Sequence, residues 1–154
     1  EEYNGTSWSE KNDLNTGRNY SCQFSAGSTT AALIAGGAPF ATGAQKYTEQ
    51  WNGTSWTEVA DLNTGRTYGG GFGNSTSAVA FGGENPASSA VPETEQWNGT
   101  SWTEVSNLTN AKQGVGGAGL TGTLGIAFGG GPPSSTATEH WEAETLTVKT
   151  VTVS

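Results

Sequence analysis

The sequence predicts an all-β fold made of repeated four-stranded units, and three observations predict it. First, the phrase Trp51-Asn52-Gly53-Thr54-Ser55-Trp56-Thr57-Glu58-Val59 returns as Trp97-Asn98-Gly99-Thr100-Ser101-Trp102-Thr103-Glu104-Val105, and Tyr3-Asn4-Gly5-Thr6-Ser7-Trp8-Ser9-Glu10 opens the chain in nearly the same words. Second, the leading aromatics Tyr3, Trp51, Trp97 and Trp141 stand 48, 46 and 44 residues apart. A self-similar period in the forties marks an array of supersecondary units. Third, no segment combines helical period, N-cap and helical length, whereas short apolar runs ended by glycine recur.

The composition bounds the function classes. The 154 residues suit one domain, 1–154, with a modest core. Large aliphatic residues and Phe are scarce, but six Trp at periodic positions argue against disorder. The formal charge of −8 and the scatter of the six Lys and Arg make nucleic acid an improbable partner. No apolar run approaches a membrane span. No signal peptide is visible, and the chain starts at Glu1 without Met, so a preceding segment can lie outside it. The single Cys22 excludes an internal disulfide framework, and it stands where other repeats carry glycine. A buried small residue is the simplest expectation for it.

Taken in order, Glu2–Asn4 and Ser7–Glu10 read as two short strands around Asn4-Gly5. Asn-Gly is the strongest short-range hairpin signal because both residues tolerate φ > 0. A loop follows and ends in Leu14-Asn15-Thr16-Gly17-Arg18; it returns as Leu62-Asn63-Thr64-Gly65-Arg66 and as Leu108-Thr109-Asn110-Ala111-Lys112. Each loop leads into a small-residue strand over 19–27, 67–73 and 113–120. Strands so poor in side chains suit a place where backbones crowd, such as a central axis.

A short apolar strand comes next in each unit and ends in a glycine doublet: Gly36-Gly37, Gly82-Gly83 and Gly129-Gly130. Variable, proline-bearing loops over 38–45, 84–92 and 131–135 read as exposed connections. A third strand then runs into Trp51, Trp97 or Trp141, and a fourth covers 55–62 or 101–108. In the last unit the fourth strand would be 145–154, a β-prone closing or capping strand without the Asn-Gly-Thr-Ser-Trp phrase. Four strands in about 46 residues equal one blade of a β-propeller. The chain is thus expected to hold blades over 19–62, 66–108 and 112–154, preceded at 1–14 by the outer two strands of another.

At these residues the chain resembles kelch repeats, in which a Gly-Gly doublet is followed by an aromatic and then by Trp. The matching residues are Gly36, Gly37, Trp51 and Trp56, then Gly82, Gly83, Trp97 and Trp102, then Gly129, Gly130 and Trp141, where the second Trp is lacking. The wording of the repeats further resembles kelch-type tail-fibre or appendage proteins of environmental bacteriophages. The resemblance implies a β-propeller of six or seven blades, more than three and a half blades can close. Further repeats of the same protein, a homo-oligomer or a filament would complete it. Some kelch propellers carry a copper oxidase, but the His and Tyr ligands that chemistry needs are not available here.

The residues offer little chemistry. The tryptophans suit packing between units, with an aromatic platform for sugar rings as the alternative. Asn4, Asn19, Asn52, Asn74, Asn98 and Asn107 head N-x-Ser/Thr sequons and are candidate glycosylation sites, although hairpin chemistry alone explains the Asn-Gly pairs. Glu49, Glu58, Glu95 and Glu104 recur with the strands and are expected to be solvated or paired with Arg18 and Arg66. His140, the only histidine, takes the place of Gln50 and Gln96 and reads as a polar strand residue. No catalytic group, metal site or cofactor is expected. The expectation is a non-catalytic structural or adhesive component of an extracellular or virion-surface assembly. A soluble propeller that binds carbohydrate or protein is the alternative, and a cell-surface glycan is the candidate ligand.

Overall fold

The structure, a computed structural model, describes residues 1–24, 26–39 and 43–143. Ser25, the middle of the loop over 38–45 and the closing strand expected over 145–154 lie outside the described residues. The described chain is all-β, without a helix, and forms four antiparallel sheets. A hairpin pairs β1 (Glu2–Tyr3) with β2 (Trp8–Ser9). Sheet I is the meander β3 (Cys22–Gln23), β4 (Ala32–Ala35), β5 (Thr48–Trp51) and β6 (Trp56–Val59). Sheet II repeats it with β7 (Gly70–Asn74), β8 (Ser77–Phe81), β9 (Thr94–Trp97) and β10 (Trp102–Val105). Sheet III holds β11 (Gln113–Thr121), β12 (Leu124–Gly131) and β13 (Thr138–Glu142).

The Asn-Gly phrase does make hairpins, but not through an Asn-Gly pair at φ > 0. Trp51 pairs with Trp56 and Trp97 with Trp102, so the connection is four residues long. Only the glycines are left-handed: Gly5, Gly53 and Gly99 have φ of 96°, 94° and 94°, and the asparagines keep negative φ. The Asn side chain takes over the turn. Asn52 Oδ1 accepts from the N–H groups of Thr54 and Ser55, each at 2.9 Å, and Asn98 repeats this with Thr100 and Ser101. An asparagine that mimics the backbone in this way has no need of αL.

Strand alternation gives each sheet two different faces. On β8, Ala78 and Ala80 join a core with Phe24, Leu33 and Ala35 of sheet I, while Val79 and Phe81 join another with Val115 and Ala127 of sheet III. The core is therefore two layers between successive sheets. One face of each sheet, its front, presents bulky apolar groups, and the back of the next receives them. A Cβ on Gly71 would come within 2.8 Å of the Phe24 ring, and one on Gly117 within 2.8 Å of Phe81. The small-residue strands are thus poor in side chains because the neighbouring sheet's aromatics fill their surface.

The glycine doublets fasten the layers. Gly37 N–H donates to the Arg66 carbonyl at 2.8 Å, and Gly83 N–H to the Lys112 carbonyl at 2.7 Å. Gly82 has φ 61°, and a Cβ there would lie 2.7 Å from the Lys112 carbonyl. Gly129 has φ 71°, but among the described residues the nearest atom to such a Cβ is the Ser135 carbonyl at 4.0 Å. Gly82→Ala should therefore cost more than about 1 kcal/mol, from backbone strain and collision together. Gly129→Ala should cost only the strain. Urea unfolding of the two variants checks the difference.

Candidate functional site

Two of the recurring glutamates, Glu49 and Glu95, are buried and hold the loops that join the sheets. Glu49 accepts from the N–H of Asn15 at 2.8 Å, the Asn15 side-chain amide at 2.9 Å and the N–H of Thr16 at 3.3 Å, and it is ion-paired with Arg18. Glu95 repeats the set with Asn63 N–H at 2.7 Å, the Asn63 amide at 2.9 Å, Thr64 N–H at 3.3 Å and Arg66 at 2.7 Å. Both pairs are almost wholly buried. Through Nη1 each Arg also reaches two carbonyls, Gly36 and Tyr47 for Arg18, Gly82 and Glu93 for Arg66, and Arg18 Nε donates to a third, that of Thr16. The fork of donors in a guanidinium makes this possible. Glu58 and Glu104 are exposed.

The third latch is weaker. Lys112 Nζ meets Glu139 at 2.7 Å and Thr109 N–H donates to the same carboxylate at 2.7 Å. Lysine has no second planar arm for the doublet carbonyl. Partial burial pushes the Glu139 carboxyl upward, but the hydrogen bonds from Lys112 and Thr109 outweigh it and hold the group below its ordinary value of 4.5. A depressed folded value means stability that is complete above 4.5 and lost as pH falls through the folded value. Glu139→Gln should therefore flatten part of the acid limb of stability below pH 4.5. Thermal melts of both proteins from pH 5 downward check this.

The leading tryptophans serve their own sheets. The indole N–H of Trp51 donates to the Thr29 carbonyl at 2.9 Å, that of Trp97 to Ser75 at 3.0 Å and that of Trp141 to Gly122 at 3.1 Å. Trp102 instead crosses to sheet I, where its N–H reaches Thr48 Oγ1 at 3.1 Å and its ring lies 5.9 Å from Phe24. Trp56 is only half-buried, beside Trp51 at 5.5 Å. Cys22 is fully buried, and burial raises its thiol to about 11, which suits packing rather than nucleophilic attack. His140 is exposed on β13.

Of the sequon asparagines, Asn4, Asn19, Asn52, Asn98 and Asn107 are exposed and Asn74 is half-buried. The Asn74 amide donates to the Leu120 carbonyl at 3.0 Å, and Asn107 Oδ1 accepts from Thr94 N–H at 3.1 Å. A glycan on Asn74 would remove a bond between sheets II and III.

Two features escape sequence reasoning. Tyr20 and Tyr68 stack with ring centroids 4.2 Å apart, both largely exposed, and both at φ 55°. Bulky residues are genuine outliers there. The backbone demands the conformation: Tyr68 N–H donates to the Tyr20 carbonyl and Gly114 N–H to the Tyr68 carbonyl, each at 2.8 Å, and Gly114 has φ 62°. The spacing of Tyr20, Tyr68 and Gly114 by the repeat period is the one signal of it in the sequence. The second feature is a groove of about 590 Å³ between the hairpin and sheet I, lined by Tyr3, Trp8, Trp51 and Trp56 among others.

Among the described residues no cluster of three or more His, Cys, Asp or Glu is placed to hold a metal ion. Among them, too, no helix is long and apolar enough to cross a membrane. No family model matches the chain, and no curated protein matches it.

Proposed function

We propose that the chain is a non-catalytic structural and adhesive component of an extracellular assembly, a phage tail fibre or virion appendage, in which sheets I, II and III are kelch-type propeller blades. The observation that carries the reading is the use made of the repeated acids. Glu49, Glu95 and Glu139 are each engaged in a loop latch, so one of the two recurring glutamate positions serves rigidity. The order of four strands, the glycine doublets and the front-to-back packing support blades stacked about an axis. Such a unit offers its exposed loops for attachment and would sit with further repeats or copies at the virion surface.

A soluble carbohydrate-binding propeller is the second reading, and the strained, exposed Tyr20–Tyr68 pair favours it. Side chains kept at αL without burial mark candidate ligand surfaces. One experiment separates the readings from each other and from an enzyme. The purified chain is incubated with a panel of bacterial surface polysaccharides, and both retention and released reducing sugar are measured. The adhesive reading expects retention, without release, that survives Tyr68→Ala. Loss of retention in Tyr68→Ala, with an unchanged melting curve, would place adhesion on the tyrosine pair. Sugar release with turnover would contradict both readings.

A further inference from the structure

Sheet III has the same front face as sheets I and II, but it is open. The equivalents of Val79 and Phe81 on β12 are Ile126 and Phe128. Val79 and Phe81 are 1% and 2% exposed; Ile126 and Phe128 are 38% and 41% exposed, with Leu124 beside them at 54%. Isolated exposed apolar residues mean little, but three on one strand face form a patch. The two junctions inside the chain show what such a face takes. It takes the back of a following sheet: Ala78, Ala80, Trp97 and Trp102 over sheet I, and Ala127 with Trp141 over sheet II.

The chain carries one more back face of that composition. On sheet I, Ala32, Ile34, Trp51 and Trp56 hold the positions of Ala78, Ala80, Trp97 and Trp102. Ala78 and Ala80 are fully buried, whereas Ala32, Ile34 and Trp56 are half-buried, and Ala32 and Trp56 line the groove under the hairpin. The hairpin strands β1 and β2 pair only with each other among the described residues, so no inner strands fill that groove.

We infer that the open front of sheet III, at Leu124, Ile126 and Phe128, docks on the back of sheet I of a second copy of this chain, in the groove beside Ala32 and Trp56. The contact continues the packing that joins sheets I to II and II to III. It joins unlike surfaces, so it is heterologous and propagates into a ring or a filament. It rests on the repeat reading above and adds the partner and the face.

The 154-residue chain is tested by light scattering after size exclusion and by cysteine trapping. Wild-type protein should exceed the monomer mass of 15.8 kDa increasingly with concentration. Ile126→Asp with Phe128→Asp should return it to monomer with the melting curve of the dilute wild-type protein. Phe128→Cys mixed with Ala32→Cys should form a disulfide-linked heterodimer, since the native Cys22 is buried. Three results would overturn the inference. One is a wild-type monomer at every concentration, as when residues 144–154 or a foreign protein cover the face instead. Another is efficient linking of Phe128→Cys to itself, which means a two-fold contact. The third is assembly that survives the aspartates. An assembled chain that retains no polysaccharide would sink the adhesive reading and leave this one standing.

Discussion

Glu95→Ala should destabilise the protein by about 3–5 kcal/mol, the range for removing one partner of a buried ion pair. Arg66 would keep its two carbonyl contacts, at 2.9 and 2.8 Å, but lose its counter-charge in a site where its side chain is fully buried. The N–H groups of Asn63 and Thr64 would lose their acceptor at the same time. Each such orphan adds cost. Glu139→Ala should cost clearly less, because the Glu139 side chain is partly exposed and water can replace it. Replacing both Arg66 and Glu95 by apolar residues of similar volume should recover part of the loss, since a buried pair is dear to break but not to exchange. Urea unfolding of the single and double variants measures all three. Equal losses at Glu95 and Glu139 would show that burial of the latch does not set its strength.

Trp102→Ala should also cost about 3–5 kcal/mol, as expected for emptying a core aromatic site. Its ring is 6% exposed and packs against both Trp97 and Phe24. The variant would open the layer between sheets I and II and strand Thr48 Oγ1. The same phrase at Trp56 predicts an equal effect from sequence, but Trp56 is only half-buried. Among the described residues Trp56 has no Phe24-like partner in front of it, so Trp56→Ala should cost about 1–2 kcal/mol, within the ordinary range for partly exposed sites. Chemical denaturation at low protein concentration, where copies are apart, gives the comparison.

Much of the fold is legible because the chain repeats itself. The apolar runs before Gly36, Gly82 and Gly129 and the strands into Trp51, Trp97 and Trp141 fall where the spacing puts strands. The pairing of Glu49 with Arg18 and of Glu95 with Arg66 is likewise readable as one repeated option. The illegible part depends on neighbours. Trp56 and Trp102 share their local words, yet only Trp102 has a complete sheet in front of it. Ile126 and Phe128 look like core residues in sequence, and they are exposed because no further sheet packs on the front of sheet III among the described residues. The left-handed Tyr20 and Tyr68 are hidden because tyrosine gives no hint of positive φ; only their alignment with Gly114 does. The Asn-Gly phrase announces a hairpin but not its backbone, because the Asn side chain supplies the turn's hydrogen bonds.

In the reading proposed above, successive sheets are blades stacked front to back about a common axis, with β3, β7 and β11 innermost. β7 already lies against both β3 and β11, and the backbone bonds from Tyr68 to Tyr20 and from Gly114 to Tyr68 join the three in turn. Electron cryo-microscopy of the assembled 154-residue chain tests this arrangement. Blades about an axis would give density in which the glycine-rich strands surround that axis, the Trp51 and Trp97 hairpins lie outermost, and the front of sheet III is covered by another sheet. Sheets arranged without a shared axis, or a solvent-filled front face on sheet III in the assembled particle, would contradict it.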